Sequence, residues 1–241
     1  MKQTKIIPWF LSVILLLLVS CDSKTIVGSG KITKASRPVS GFKKVSVSGS
    51  GHLFITQGAT ESLEIACDDN IAPHIRTVVE DGTLKIGPKA VSLNPSEPIK
   101  YSLSLKNLNS LETSGSVLVK GDTLKTKDLK VLISGSGKFG FKHLEAQSIT
   151  FDISGSGEVD IEAGKTEHQI ISISGSGDIT VPNLKSEKMD ITVSGSGKAE
   201  VWVTNKLDVD ISGSGMLNYY GSPIVSSNVS GSAKIEGLGR K

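Results

Sequence analysis

Arginine is nearly missing from this chain. Only Arg37, Arg76 and Arg240 occur, and none lies between residues 77 and 239. The formal net charge is only +3, and it falls to about +1 without Lys2 and Lys5 of the leader. A nucleic-acid binder normally carries a basic face, so nucleic acid is excluded as an expected partner. Cysteine is as scarce, with Cys21 and Cys67 alone. Once Cys21 is assigned to a lipid anchor, no internal disulfide framework remains. In Leu63-Glu64-Ile65-Ala66-Cys67 the alternation places Cys67 on the face of Leu63 and Ile65, which predicts a buried structural thiol. The histidines, His52, His74, His143 and His168, show no metal-ligand spacing, and no G-x-S-x-G hydrolase elbow is present. The sequence thus implies neither metal nor cofactor. A long hydrophobic run is also wanting. Trp9 to Val19, broken by Ser12, is too short for a membrane-spanning helix of about 20 residues.

What is present begins with that leader. Lys2 and Lys5 precede the apolar stretch, which ends in Leu18-Val19-Ser20-Cys21. This resembles a bacterial lipobox, in which the cysteine becomes the first mature residue and carries the lipid. Residues 1–20 read as a lipoprotein signal peptide and Cys21 as the lipidation site. Several acyl chains, each gaining about 0.8 kcal/mol per buried CH₂, would hold the protein on a membrane. Asp22 leaves the choice of membrane open; the outer membrane or cell surface is favoured over the periplasmic face.

The dominant signal is Ser-Gly-Ser-Gly. Complete copies start at Ser48, Ser134, Ser154, Ser174, Ser194 and Ser212, and degraded ones at Ser114 and Ser230. From Ser114 the steps are 20, 20, 20, 20, 18 and 18 residues. Fixed periods of this size mark stacked units. Each copy sits in alternating apolar and polar residues, such as Phe151, Ile153, Val159 and Ile161 on one face. Alternation marks a strand with one buried face, and a one-residue slip would expose every apolar side chain. A coil this short cannot close a core alone, so the expected fold is all-β, a parallel β-helix or β-solenoid of 18–20-residue coils. Rungs about 4.8 Å apart give a rod of about 30 Å from Ser114 to Ser230. In this register both glycines face the core. Both serines face outward and can hydrogen-bond from rung to rung. The competing geometry kinks the strand at each glycine and turns the serines inward.

The domain reading follows. Residues 21–40 form a tether or first strand, 41–110 a less regular, mostly β region that covers one end, and 111–241 the repeat solenoid. Within 41–110, Ser62–Cys67, Thr83–Ile86 and Tyr101–Leu105 read as strands. Ile71, Ile75, Val78 and Val79 predict a short amphipathic helix over Asp69–Glu80, capped by Asp68, Asp69 or Asn70. Asp81-Gly82 predicts a tight turn.

Gly135-Ser136-Gly137-Lys138-Phe139-Gly140 matches the dinucleotide pattern G-x-G-x-x-G, but strand alternation continues where a helix is needed and the sister copies lack the third glycine. It is an accident of the repeat. Gly-Ser-Gly-Lys likewise fails as a phosphate loop, since Ile32, Phe139 and Ala199 follow the lysines. Asp152, Glu158, Asp160, Asp178, Asp190, Glu200, Asp208 and Asp210 alternate outward as a solvated face, with no pair singled out for glycosidase-type chemistry. The repeat spacing aligns Pro182, Trp202 and Tyr220 in adjoining rungs, a candidate aromatic patch for glycan or protein.

The lipobox, the phrase Phe42-Lys43-Lys44-Val45-Ser46-Val47-Ser48-Gly49-Ser50-Gly51, Leu84-Lys85-Ile86 and the later Ser-Gly-Ser-Gly coils together resemble the bacterial family known as putative autotransporter adhesin, head GIN domain, over about residues 40–225. That resemblance implies a secreted or lipid-anchored β-solenoid, brings adhesion chiefly through shape, and transfers no catalytic residue. The expected function is a non-enzymatic cell-envelope lipoprotein serving as an adhesin-like binding or structural module. Its expected partners are the membrane, through its lipid, and a glycan or protein ligand. The alternatives are a carbohydrate-active β-helix enzyme, with the scarcity of arginine opposing an arginine-dependent lyase, and an envelope signalling or assembly factor. Carboxylates clustered in one groove beside a lysine would favour the enzyme.

Overall fold

The computed structural model describes residues 25–241, so the signal peptide and Cys21 lie outside the described residues. The chain runs through β1 (Thr25–Val27), β2 (Ile32–Arg37), β3 (Lys44–Gln57), β4 (Ser62–Asp68), one 3-10 turn (Ala72–His74), β5 (Ile75–Glu80), β6 (Thr83–Pro88), β7 (Ser92–Asn94) and β8 (Lys100–Leu105). It continues through β9 (Ser110–Lys125), β10 (Asp128–Gly135), β11 (Lys138–Gly155), β12 (Glu158–Ile161), β13 (Gly164–Gly175), β14 (Asp178–Gly195), β15 (Lys198–Gly213), β16 (Met216–Tyr220), β17 (Ile224–Gly231) and β18 (Lys234–Gly237).

Parallel pairing sets Ser48, Ser114, Ser134, Ser154, Ser174, Ser194, Ser212 and Ser230 in one column. This is the β-solenoid that the period predicts. Inside it, Val45, Leu111, Val131, Phe151, Ile171, Ile191 and Val209 stack in one buried column. Leu53, Val119, Phe139, Val159, Ile179, Ala199 and Leu217 stack in another. Burying each larger aliphatic or aromatic side chain contributes about 1.5–3 kcal/mol, so a charge such as Phe151→Asp would break the rung.

The tetrapeptide is a corner, and both expected geometries hold in part. The serines face outward and are exposed. Only the second glycine of each copy is buried, while the first sits at the surface and bends the strand with φ from +95° at Gly49 to +128° at Gly195. A Cβ at Gly175 would lie 2.5 Å from the Gly155 carbonyl oxygen one rung below. Only glycine permits both this φ and this approach. Among the described residues the serine side chains form no hydroxyl ladder. The second serine's backbone N–H makes the rung contact instead, as in Ser156 to the Gly135 carbonyl and Ser176 to the Gly155 carbonyl, both at 2.9 Å.

The copy at Ser48 is the first rung, lying directly on Ser114. Residues 58–109 are an excursion between the two. β8 extends the second half of β3 in parallel, followed by β4 and β2 antiparallel, while β6 extends the first half, followed by β5 antiparallel. The expected helix over Asp69–Glu80 reduces to the single 3-10 turn, because the β-branched run Ile75, Thr77, Val78 and Val79 pairs with β6. The Asp81-Gly82 turn closes that hairpin with φ of +49° and +69°, as a two-residue type I′ turn requires.

Asp68, Asp69 and Asn70 therefore cap no helix; they clasp the incoming chain. Asp68, fully buried, accepts from the Gly30 N–H at 2.8 Å and the Ser96 hydroxyl at 2.6 Å. The Ser96 hydroxyl holds its carboxyl below the usual range, against the opposing effect of burial. Asn70 donates to the Val27 carbonyl at 2.7 Å. Cys67 is buried, as its alternation predicts, and burial pushes its thiol up. One polar pair lies in the core, where Gln169 accepts from the Ser186 hydroxyl at 2.8 Å and leaves its own Nε2 without a partner. Among the described residues no helix is long and apolar enough to cross a membrane.

Candidate functional site

Three outward columns on the first rungs frame a groove of about 680 Å³. The central column reads Phe54, Lys120, Gly140, Asp160. Beside it run His52, Leu118, Lys138, Glu158. Asp122, Lys142 and Glu162 form the other wall. The volume falls in the range of about 300–1,000 Å³ typical of small-molecule sites. Gly140 supplies the low point of the floor, because the outward column has no side chain there. Phe54 is 40% exposed, unusual for an aromatic residue on this face, and meets His52 edge to face at 6.3 Å.

The floor is backed by packed rings. Phe139 and Phe141 lie 5.0 Å apart beneath it, and Phe139 and Phe151 lie 6.0 Å apart. Gly121 makes that possible, since a Cβ there would sit 2.2 Å from the Phe141 ring. Gly140 differs. It lies within β11 and its φ is not in the left-handed region. A Cβ there would meet nothing closer than the Asp160 carbonyl oxygen at 3.6 Å.

Two ion pairs border the groove, Lys138 with Glu158 and Lys142 with Asp122, the latter at 2.7 Å. The hydrogen bond that each lysine donates to its carboxylate raises the lysine pKa, so both stay ammonium ions. Among the described residues Lys120 and Asp160 make no ion pair within 4.0 Å, which leaves a donor and an acceptor on either side of the glycine gap. Of the outward carboxylates, Glu158 and Asp160 come together here. Asp190 bonds His168 at 2.6 Å and Asp208 pairs with Lys206, both elsewhere. No group of three or more His, Cys, Asp or Glu side chains among the described residues could hold a metal.

The aromatic column is placed differently from its spacing. Trp202 and Tyr220 are neighbours in adjoining rungs. Pro182 does not stack on them: the register shifts after Val181–Val201, and Lys185 stands opposite Trp202 instead. The 20-residue alignment hid this bulge. Lys241 returns over the pair, its ammonium 5.9 Å from the Trp202 ring and 4.5 Å from the Tyr220 ring, and donates to the Pro182 carbonyl. Lys185 lies 5.8 Å from the Trp202 ring. Both rings are half-buried and already faced by cations.

Lys138, Gly140, Glu158 and Asp160 were visible in the sequence, but the groove that joins them to Phe54 and Lys120 was not. The missing signal was the placement of Ser48 on Ser114, which alone aligns Phe54 with Lys120 and Gly140. The third glycine of the false nucleotide motif was the visible clue.

A family model described as "Putative auto-transporter adhesin, head GIN domain" matches residues 41–223. Solved structures share the architecture. A protein of Parabacteroides distasonis described as a putative lipid binding protein is 25% identical over 89% of this chain and 100% of its own, with a TM-score of 0.73. A putative adhesin of the same species is also 25% identical over 89% of this chain and 100% of its own, with a TM-score of 0.69. A putative adhesin of Bacteroides fragilis, 23% identical over 88% and 100%, superposes with a TM-score of 0.80. No curated protein matches significantly. With the family match covering the solenoid up to its last coil and the excursion at its first rungs, this chain belongs to the head GIN domain family of putative auto-transporter adhesins.

Proposed function

We propose that the protein is a non-enzymatic, adhesin-like binding module of the cell envelope, anchored through a lipid on Cys21, and that the lateral groove takes a neutral glycan. Gly140 carries this reading. Glycine inside a strand is less stable than alanine by about 0.5–1 kcal/mol, and here neither backbone nor neighbours require it. What it does is keep the groove open between Lys120 and Asp160. Sugar hydroxyls both donate and accept, which suits an ammonium and a carboxylate on opposite sides. A sugar's C–H face suits the exposed Phe54 ring. The mixed charges of the walls favour neither a strong anion nor a strong cation.

The test is binding of the full chain to a glycan array, with phospholipid vesicles as the arm for a lipid ligand. Gly140→Leu should abolish glycan binding and leave thermal stability intact, while Gly140→Ala should reduce it only partly. Undiminished binding by Gly140→Leu would remove the groove from the reading, and binding to vesicles alone would replace the ligand class. Trp202→Ala on the same array asks whether the Trp202–Tyr220 patch contributes. Palmitate labelling lost in Cys21→Ala tests the anchor.

One observation favours the enzyme as a second reading: Glu158, Asp160, Glu162 and Asp122 border one groove with Lys120, Lys138 and Lys142. The raised pKa of Lys138 and Lys142 opposes it, because a lysine base must lose its proton near neutral pH. Release of reducing ends from a bound glycan, abolished in Asp160→Asn, would establish catalysis.

A further inference from the structure

The two ends of the solenoid are finished differently. At the first rungs the sheet terminates in β2 and β5, each paired on one side. Both carry charges on that edge strand: Lys34 and Arg37 on β2, Arg76 and Glu80 on β5. Charged residues are how natural proteins keep an open edge from pairing with another chain. On the last rung the short strand β18 carries Lys234 and Glu236, but the longer strand β17 has no such guard. β17 pairs only with β15 among the described residues, and its sequence, Ile224-Val225-Ser226-Ser227-Asn228-Val229-Ser230-Gly231, holds neither charge nor proline. Ile224 is 78% exposed, Val225 37% and Val229 43%. Val225 and Val229 continue inner columns that are buried one rung earlier, at Leu207 and Ile211.

We infer that this rung is a self-association surface, on which β17 of a second copy pairs antiparallel with β17 to close a tail-to-tail dimer. A second copy is the occupant that the pattern selects. Head-to-tail addition would set the uncharged edge against the charged strands of the other end, whereas tail-to-tail pairing uses one patch twice and closes at two. Parity then restricts the register. For inner residues to face inner residues, the two-fold axis must pass through a residue rather than between two. Centring it on Ser227 sets Val225 opposite Val229 of the second copy on the core side, and Ser226 opposite Asn228 on the solvent side. Centring it one residue either way sets a valine opposite Ser227. Val225-Ser226-Ser227-Asn228-Val229 is thus near-palindromic in chemistry, apolar at both ends and small and polar between.

Cysteine cross-linking of the full chain under mild oxidation tests this. On the axis, Ser227 lies about 4.5–5.5 Å from its own copy in Cα separation, within disulfide reach. Ser230 lies about 20 Å from its copy, three residues off the axis on each strand. Ser227→Cys should give a disulfide-linked dimer on a non-reducing gel and Ser230→Cys should not. Adding Val229→Lys, or separately Val225→Lys, to Ser227→Cys should cut the dimer at least tenfold. The inference is overturned by equal cross-linking at 227 and 230, by its absence at 227, or by Ser227→Cys linking only to a different protein. Loss of glycan binding would not bear on it, since the groove lies on other rungs.

Discussion

Gly175→Ala and Gly140→Ala add the same methyl group and should move stability in opposite directions. At Gly175 the backbone stands at φ +123° and the new carbon would sit 2.5 Å from the Gly155 carbonyl oxygen. A non-glycine residue in such a conformation costs about 1–3 kcal/mol, and the overlap with main chain adds about 1–3 kcal/mol more. The oxygen cannot step aside, because it accepts the Ser176 N–H at 2.9 Å and so belongs to the ladder itself. The expected loss is roughly 2–6 kcal/mol. At Gly140 the nearest atom is 3.6 Å away and the backbone is unstrained, so alanine should gain up to about 1 kcal/mol through lower unfolded-state entropy. Urea unfolding followed by far-UV circular dichroism reads both. With a slope of about 1–3 kcal/mol per molar, Gly175→Ala should lower the midpoint by roughly 1 M or more. Equal shifts for the two variants, or a Gly175→Ala midpoint within error of wild type, would refute the account of the corner.

Two further predictions concern buried polar groups, beside the groove and cross-linking experiments above. The Asp68 carboxyl has a lowered folded pKa, so its contribution is complete above the unfolded value near pH 4 and is lost as pH falls through the lower folded value. Hydrogen-exchange protection of the Gly30 and Ser96 amides should hold from pH 7 to about 4 and decline only below it; a decline starting near pH 6 would contradict the clasp. In the core, the double variant Gln169→Leu/Ser186→Ala removes a donor that has no partner together with the hydroxyl that depends on Gln169. It should be as stable as wild type or better by about 1–3 kcal/mol, and a clear thermal destabilisation would show that Nε2 is satisfied in solution.

The stack was legible because an even-numbered tetrapeptide inside a period-two pattern keeps its parity, so Ile153 and Val159 could be assigned one face without coordinates. The bend at the first glycine was not, since alternation records which face a residue takes but not where the strand turns. Over Asp69–Glu80, Ile71, Ile75, Val78 and Val79 satisfy a helical period, yet the Asp81-Gly82 turn folds that segment back on β6, and the non-local pairing wins. The groove was hidden by the excursion at 58–109, which puts Phe54 far from Lys120 along the chain and one rung from it in space. Trp202 and Tyr220 were aligned correctly because no bulge separates their rungs, whereas three residues after Val181 displace Pro182.

The incoming strand β2 and the uncharged strand β17 stand at opposite extremes of the rod. Two copies paired through β17 as inferred above would therefore hold their β2 strands far apart. The span of such a pair would be set by how many coils each copy carries, at about 4.8 Å per coil.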